Sequence, residues 1–323
     1  MLIYTVYIRK QRLSRTLLII TCNRDRWELE LLCRSIHKYL EPSRIIIVCN
    51  EYNDTYEQWM PWFKKRCEPL LYKHKLRIMK KYDFWTAEHE SHLHERQLEG
   101  WVDQQVIKLS ISKFINTPEY ICLDSKNFFI RTCNTLTIKQ QEPVDSSWMG
   151  DWRENWVKLC CEEFKISYPG TTIKLTVNIT PYIVKTDQAR ALVDHFGGME
   201  KFFVWFSTVC IPDQISPSEF FLYEIWCIKN GVRPIKSNNY VRSNVVALWA
   251  DIHHVKLNWR VNDYIKNIKL EVEYNDIYLV GLHKTLRPYL SEENIREIFK
   301  SIDCEDILPL SPMPFTGSSL VQK

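Results

Sequence analysis

Asp124 ends an apolar run, Tyr-Ile-Cys-Leu-Asp, and is followed at once by Ser125, Lys126 and Asn127. A carboxylate at the end of such a run emerges where a phosphate, a sugar or a metal ion would sit. In an α/β sheet ligands gather at the carboxyl ends of the strands, so Asp124 is the first candidate for a binding or catalytic group. The same residues also suit an ordinary turn, because Asp, Ser and Asn are frequent turn formers.

A second carboxylate, Glu219, follows Pro217-Ser218 and opens the run Glu-Phe-Phe-Leu-Tyr-Glu-Ile-Trp. Ser218 is a candidate N-cap, and a helix start favours a negative charge. Charge complementation at the helix start alone would account for Glu219. Other groups carry less. His89, His92 and His94 crowd among Glu88, Glu90 and Glu95, but the spacing is HExH and lacks the i, i+4 geometry of a zinc helix, so a solvated polar loop is the better reading. Cys22 beside Asn23 reads as a packed thiol with no neighbouring base, and His253-His254 is uninformative.

Several function classes drop out on composition. The 323 residues are 45% hydrophobic, enough for a sizeable core. A net charge of +4, with 43 basic against 39 acidic residues, is too small an excess to argue for nucleic acid, and no basic cluster interleaves with aromatics. The eleven cysteines include no CxxC pair and several sit inside apolar runs, which reads as reduced, buried thiols in a cytoplasmic protein. The N-terminus has too short an apolar run for a signal peptide, and no stretch approaches the ~20 apolar residues of a membrane span. Only eight glycines occur, in neither G-x-G-x-x-G nor G-x-x-x-x-G-K-[ST] spacing. A bound nucleotide would therefore have its diphosphate held by side chains, helix ends or a metal.

The elements that must position these groups follow from periodicity. Apolar runs at Thr16 to Thr21, at Arg44 to Glu51 and at Tyr120 to Asp124 read as buried strands, and Leu76 to Tyr82 as a weaker one. Helical patterns run from Trp27 to Leu40, from Tyr56 to Cys67 apart from Pro61, and from Asp103 to Ile115. Continuous apolar strands alternating with helices predict an α/β fold, a mostly parallel central sheet with helices on both faces. Thr132 to Tyr168 gives a poor pattern, with Trp148, Trp152 and Trp156 spaced by fours as core packing, a lid or, less readily, a sugar platform. Thr171 to Lys185 alternates like a strand interrupted at Pro181, and helices are expected from Asp187 to Gly197 and from Ser218 to Asn230. The proline- and serine-rich segment 306–323 is expected to be a disordered tail, and 1–15 an extension.

Taken in order, these landmarks resemble a GT-A glycosyltransferase, specifically the little-characterised glycosyltransferase-like proteins of bacteria and their viruses. The resemblance covers about 16–290. It rests on Thr21, Asn23, Arg24 and Asp25; Asn50-Glu51; Trp101-x-x-Gln104-Gln105-x-x-Lys108-Leu109; Leu123-Asp124-Ser125-Lys126-Asn127; Thr180-Pro181-Tyr182; and Ser218-Glu219-Phe220-x-Leu222-Tyr223. It implies a GT-A-like domain over 16–305, with a donor half to about 131 and an acceptor half from about 132. It also implies a nucleotide-sugar donor, a carbohydrate acceptor, and a location in the cytoplasm, the host's for a viral member.

On that resemblance Thr21, Asn23, Arg24, Asp25 and Glu51 border the donor's base and ribose, and Gln105 and Lys108 support the site from the preceding helix. Asp124 and Lys126 meet the diphosphate, Asn127 with Asp124 holds a ribose hydroxyl or one metal, and Glu219 serves as the catalytic base alongside Asp124. The family's acidic motif is usually Asp-x-Asp and binds Mn or Mg. Here Lys126 stands in place of the second Asp, which puts the metal in question, with Asp124 and His283 as its candidate ligands and Lys284 within reach of a phosphate.

Overall fold

The structure is a computed structural model that describes residues 15–90, 99–139, 143–145, 151–168, 173–176, 180–210, 217–232, 245–248, 268–269, 272–273, 277–282 and 291–309. Its strands are β1 (Thr16–Thr21), β2 (Arg44–Cys49), β3 (Lys75–Lys80), β4 (Glu119–Asp124), β5 (Asn127–Phe129), β6 (Pro143–Asp145), β7 (Lys174–Thr176), β8 (Tyr182–Lys185), β9 (Val245–Leu248) and β10 (Leu279–Leu282). The helices are α1 (Arg26–Tyr39), α2 (Asn53–Arg66), α3 (Glu99–Ser110), α4 (Asp151–Glu163), α5 (Thr186–His195), α6 (Met199–Val209), α7 (Glu219–Lys229) and α8 (Glu292–Ser301).

Five strands form the central sheet in the order β3-β2-β1-β4-β8. The first four are parallel and β8 alone runs antiparallel, Tyr120 opposite Val184. In register, Ile20 of β1 lies beside Val48 on one side and Asp124 on the other. This is the expected fold class, a mostly parallel α/β sheet covered on both faces.

Alternation explains why the strands read as unbroken apolar runs. Leu17, Ile19, Ile45, Ile47, Ile121 and Leu123 face one way, into a core with Leu32 and Ile36 of α1 and Trp59 and Phe63 of α2. Leu18, Ile20, Ile46, Val48, Tyr120 and Cys122 face the other, into a core with residues of α3, α4, α5, α6 and α7. Successive side chains point to opposite faces, so burial on both sides demands an apolar residue at every position.

Helix α2 continues through Pro61, and the stacked pair Trp59 and Phe63, with ring centres 4.9 Å apart, anchors it. Helix α5 stops where expected, at Gly197 and Gly198, whose φ of 87° and 106° side chains rarely adopt; their N–H groups donate to Asp194 and Val193. A second sheet, β5-β10-β9, packs with α8 and with Trp27 and Leu31 of α1. Strands β8 and β10, both beyond residue 131, pair with β4 and β5, so hydrogen bonds join the two expected halves.

The tail expected from 306 is ordered further than anticipated: Ile307 and Leu308 are buried in the core under α8. Ser218 sits at the α7 N-cap position, but its side chain makes no capping bond. All eleven cysteines are buried. Among the described residues no helix is long and apolar enough to cross a membrane. His92, His94, Trp148, His253 and His254 lie outside the described residues, and His89 falls in a single 3-10 turn, Ala87–Glu90.

Candidate functional site

Strand order reverses between β1 and β4: the chain steps outward from β1 to β2 to β3, then returns to β4 on the other side. In open α/β sheets the helices leaving two such strands diverge, and ligands bind in the crevice at the strands' carboxyl ends. Asp124 is the last residue of β4, and the residues after β1 and β2 line the same edge.

Side-chain bonds lace this edge together. Glu51, just past β2, accepts a hydrogen bond from the Asn23 backbone N–H at 2.6 Å. Asp25, in the 3-10 turn after β1, accepts one from the Ser125 hydroxyl at 3.0 Å. Asn127 Oδ1 accepts from the Asp124 N–H at 3.2 Å and from the Thr180 hydroxyl at 3.0 Å, which fixes the turn Asp124–Asn127 from below. The Asn50 amide donates to the Gly100 carbonyl at 3.0 Å and so ties β2 to the start of α3. Three buried acceptors, Thr21 Oγ1, Asn23 Oδ1 and Asn50 Oδ1, have no partner. Arg24 lies in the turn with Asn23 and Asp25, its guanidinium hydrogen-bonded to Cys22. Burial and the charge of Asp25 push the Cys22 thiol up to about 11, as a packed, unreactive thiol requires.

Behind the edge lies a chain of charges. Lys126 Nζ is 2.8 Å from Asp124 Oδ2, and Lys108 Nζ, reaching up from α3, is 3.8 Å from Asp124 Oδ1. Lys108 is also 2.8 Å from Glu219 Oε1. The chain grades from buried to open: the Glu219 side chain is 1% exposed, Lys108 8%, Asp124 23% and Lys126 25%. Burial disfavours a charged Asp124, but Lys126 and Lys108 outweigh it and hold the carboxyl well below the usual carboxylate range. Burial likewise opposes the Lys108 ammonium, and Glu219 with Asp124 more than compensates, so Lys108 stays charged. Burial pushes the Glu219 carboxyl up, and Lys108 offsets this only in part. Gln105 completes the inner end: its Oε1 accepts the Glu219 backbone N–H at 3.3 Å.

The structure thus brings Asp124, Lys126, Asn127, Lys108, Gln105 and Glu219 into one connected group, with Thr21, Asn23, Arg24, Asp25 and Glu51 along the adjoining strand ends. Glu219 lies beneath Lys108, paired with that ammonium and with its Oε2 buried and unpartnered. His283 and Lys284 lie outside the described residues, although the Leu282 N–H donates to the Lys126 carbonyl at 3.0 Å.

Sequence reasoning passed over Ser125 and Thr180 as site residues. Thr180 precedes a proline across a cis bond at the entry to β8, and the Thr-Pro step was its visible signal. It also missed Glu224, fully buried in α7, which accepts hydrogen bonds from the Tyr182 hydroxyl and, at 2.7 Å, the Thr176 N–H. A lone acid flanked by Tyr and Ile was the clue there.

Among solved structures, mouse xyloside xylosyltransferase 1 in its apo form is similar at 9% identity and a TM-score of 0.45, covering 84% of this chain and 98% of that one. The bifunctional glycosyltransferase WbbM, also apo, is similar at 12% identity and a TM-score of 0.46, with 90% of this chain and 50% of that chain covered. The galactosyltransferase LgtC, in complex with donor and acceptor sugar analogs, is similar at 10% identity and a TM-score of 0.45, over 92% and 97% of the two chains. No curated protein matches in sequence. The chain belongs to a family of unknown function, DUF6492, which matches residues 10–253.

Proposed function

We propose that this protein is a GT-A-type glycosyltransferase, acting in the cytoplasm, that moves a sugar from a nucleotide-sugar donor to a carbohydrate acceptor. The observation that carries this reading is the charged edge at the strand-order reversal, where β1, β2 and β4 deliver Asp25, Glu51 and Asp124 and the turn after β4 adds Lys126. The buried, unpartnered acceptors Thr21 Oγ1, Asn23 Oδ1 and Asn50 Oδ1 lie along the strand ends assigned to the base and ribose. Lys126, backed by Asp124 and Lys108, meets the diphosphate that departs as the acceptor oxygen attacks the anomeric carbon. Glu219 and Gln105 hold Lys108 charged and in place. His283 and Lys284, next in sequence after β10, are kept as candidates for the phosphate side. The donor half is assigned to about 16–131 and the acceptor half to about 132–305.

A panel of nucleotide sugars, scored for stabilisation on heating and for release of nucleoside diphosphate, tests this. Stabilisation by one donor, with turnover on adding acceptor glycans, supports it, and failure of every donor to bind overturns it. The burial of Glu219 under Lys108 favours a second reading, a non-catalytic nucleotide- or carbohydrate-binding module, since it leaves the expected base covered. Binding without turnover on any acceptor would select that module.

A further inference from the structure

Strand β4 carries polar groups at both ends. Asp124 closes it at the crevice, and Glu119 opens it five residues earlier, roughly 17 Å away at the rise of an extended strand. Around Glu119, the loop that leads into β4 and the step from β8 into α5 line a cavity of about 520 Å³, a volume in the range of small-molecule pockets. No residue of the crevice group lines it.

Its two walls are tied together before any ligand arrives. The Thr186 hydroxyl donates to the Thr117 carbonyl at 2.6 Å and the Thr186 N–H to the Pro118 carbonyl at 2.9 Å. The Thr117 hydroxyl donates in turn to the Glu119 carbonyl at 2.9 Å. Arg190 is fixed at one nitrogen, Nη2, which donates to the carbonyls of Ser112 and Ile115 at 2.8 and 2.9 Å. Its Nε and Nη1 make no hydrogen bond among the described residues.

The other polar groups of the lining supply acceptors as well as donors. Glu119 gives Oε2 to Arg15 at 2.7 Å and keeps Oε1. The Asp187 oxygens accept from the Gln188 N–H at 2.9 Å and from its side-chain amide at 3.3 Å, and each retains a second lone pair. Asn116 is exposed and offers an amide donor and a carbonyl acceptor. Among the charged residues of the lining, Glu119 and Asp187 balance Lys185 and Arg190, so the charges sum to zero. An anion would meet two carboxylates and a cation two basic groups. Among the described residues neither acid belongs to a group of three or more His, Cys, Asp or Glu that could hold a metal. A hydroxyl donates one hydrogen bond and accepts two, so a ligand rich in hydroxyls uses both sets at once, and Ile115 and Pro118 offer its C–H groups an apolar wall.

We propose that this cavity is a carbohydrate-binding site that takes a neutral sugar unit at the amino end of β4. It goes beyond the activity assigned to the crevice and stands under either reading of that crevice. A glycan bound here is held at the far end of the strand from Asp124, and so the site retains a chain on the protein rather than presenting a reacting hydroxyl.

An NMR titration of the full, isotope-labelled chain tests this with glucose, galactose, mannose and N-acetylglucosamine, and with glucuronate and inorganic phosphate as anionic probes. Expected is a saturable shift of the Asn116 side-chain amide, assigned by its absence from Asn116→Ala, on adding at least one of the neutral sugars. Followed at the Arg190 Nε–H, that affinity should fall roughly 2- to 10-fold in Asn116→Ala and in Asp187→Ala and stay unchanged in Asp124→Ala. Asn116 and Asp187 are exposed, and both variants leave the ties of Arg190 to Ser112 and Ile115 in place, so the fold is kept. No shift with any of the neutral sugars overturns the proposal. A shift produced at lower concentration by phosphate or glucuronate overturns it in favour of an anion site, and binding lost in Asp124→Ala but kept in Asp187→Ala returns the sugar to the crevice. None of these outcomes bears on the nucleotide-sugar reading, which donor binding decides.

Discussion

Helix α3 carries two buried ammonium–carboxylate sites, and among the described residues the contacts of one of them run on to part-exposed side chains. Near its start, Asp103 meets Lys81 at 3.3 Å with side chains 1% and 2% exposed, and Lys81 also lies 3.9 Å from the centre of the Tyr52 ring. Near its end, Lys108 meets Glu219 just as deeply, but the contacts continue through Asp124 to Lys126. Taking a charge pair out of water is costly in both places, and neither site is evidence of stability in itself. The first fixes the helix against the turn after β3. The second places charge at the crevice, so the route to solvent, rather than burial or pairing, separates a structural pair from a candidate for chemistry.

Breaking each site should separate the two readouts. Asp103→Ala removes the carboxylate beside buried Lys81 and should cost about 3–5 kcal/mol in denaturant unfolding, with the remaining folded protein still active. Asp124→Ala should do the reverse: stability within about 1–2 kcal/mol of the parent, because Lys126 reaches water and Lys108 keeps Glu219, but turnover down by roughly 10² to 10³. Equal losses of stability from both would erase the distinction.

Glu219→Gln sharpens it from the inside. As a counter-ion, Glu219 replaced by Gln should lower stability by roughly 1–3 kcal/mol and weaken binding of the diphosphate through Lys108. A catalytic base would behave differently, with stability and binding intact and turnover alone down by roughly 10² to 10⁴.

Burial acting without such a pair can be read at His74. Its Nδ1 accepts from the Ser43 N–H at 3.2 Å, its Nε2 has no partner, and burial lowers its pKa to about 4. The unfolded chain takes up a proton near pH 6.5 while the folded one does not, so this contribution is present above that pH and is lost as pH falls from about 6.5 towards 4. Unfolding curves at pH 7.5, 5.5 and 4.5 should show a loss on the order of 1–3 kcal/mol that His74→Gln flattens. Smallest of all, Ser125→Ala removes one hydrogen bond to Asp25 and should cost about 0.5–1.5 kcal/mol.

How much of this was legible depended on whether a signal lay within one element. Strands β1, β2 and β4 stood out because both faces are buried, and Asp124 stood out because a carboxylate closed such a strand. Helix α3 was placed, though it starts at Glu99 and gives way to a 3-10 turn, Ile111–Phe114. The pairs Lys81–Asp103 and Lys108–Glu219 were hidden, since partners 22 and 111 residues apart leave no local trace. The second sheet was missed for the same reason. Its strands β5, β9 and β10 are three or four residues long and find one another only across the chain. The reversed direction of β8 was invisible because alternation says nothing about polarity. Glu219 was the converse case: its helix-start position was read well and its depth was not, because depth belongs to the packing of α3 against α7.

Strand β3 ends the central sheet among the described residues, with Lys75 and Arg77 turned to solvent and Lys80 half-buried beside them. An open strand edge is an invitation to another strand, and repeated positive charge along it makes a second copy of the same edge a poor guest. The sheet that gathers the charged crevice at one end is thereby guarded along its side. Neutralising Lys75 and Arg77 would remove that repulsion and favour self-association at high protein concentration.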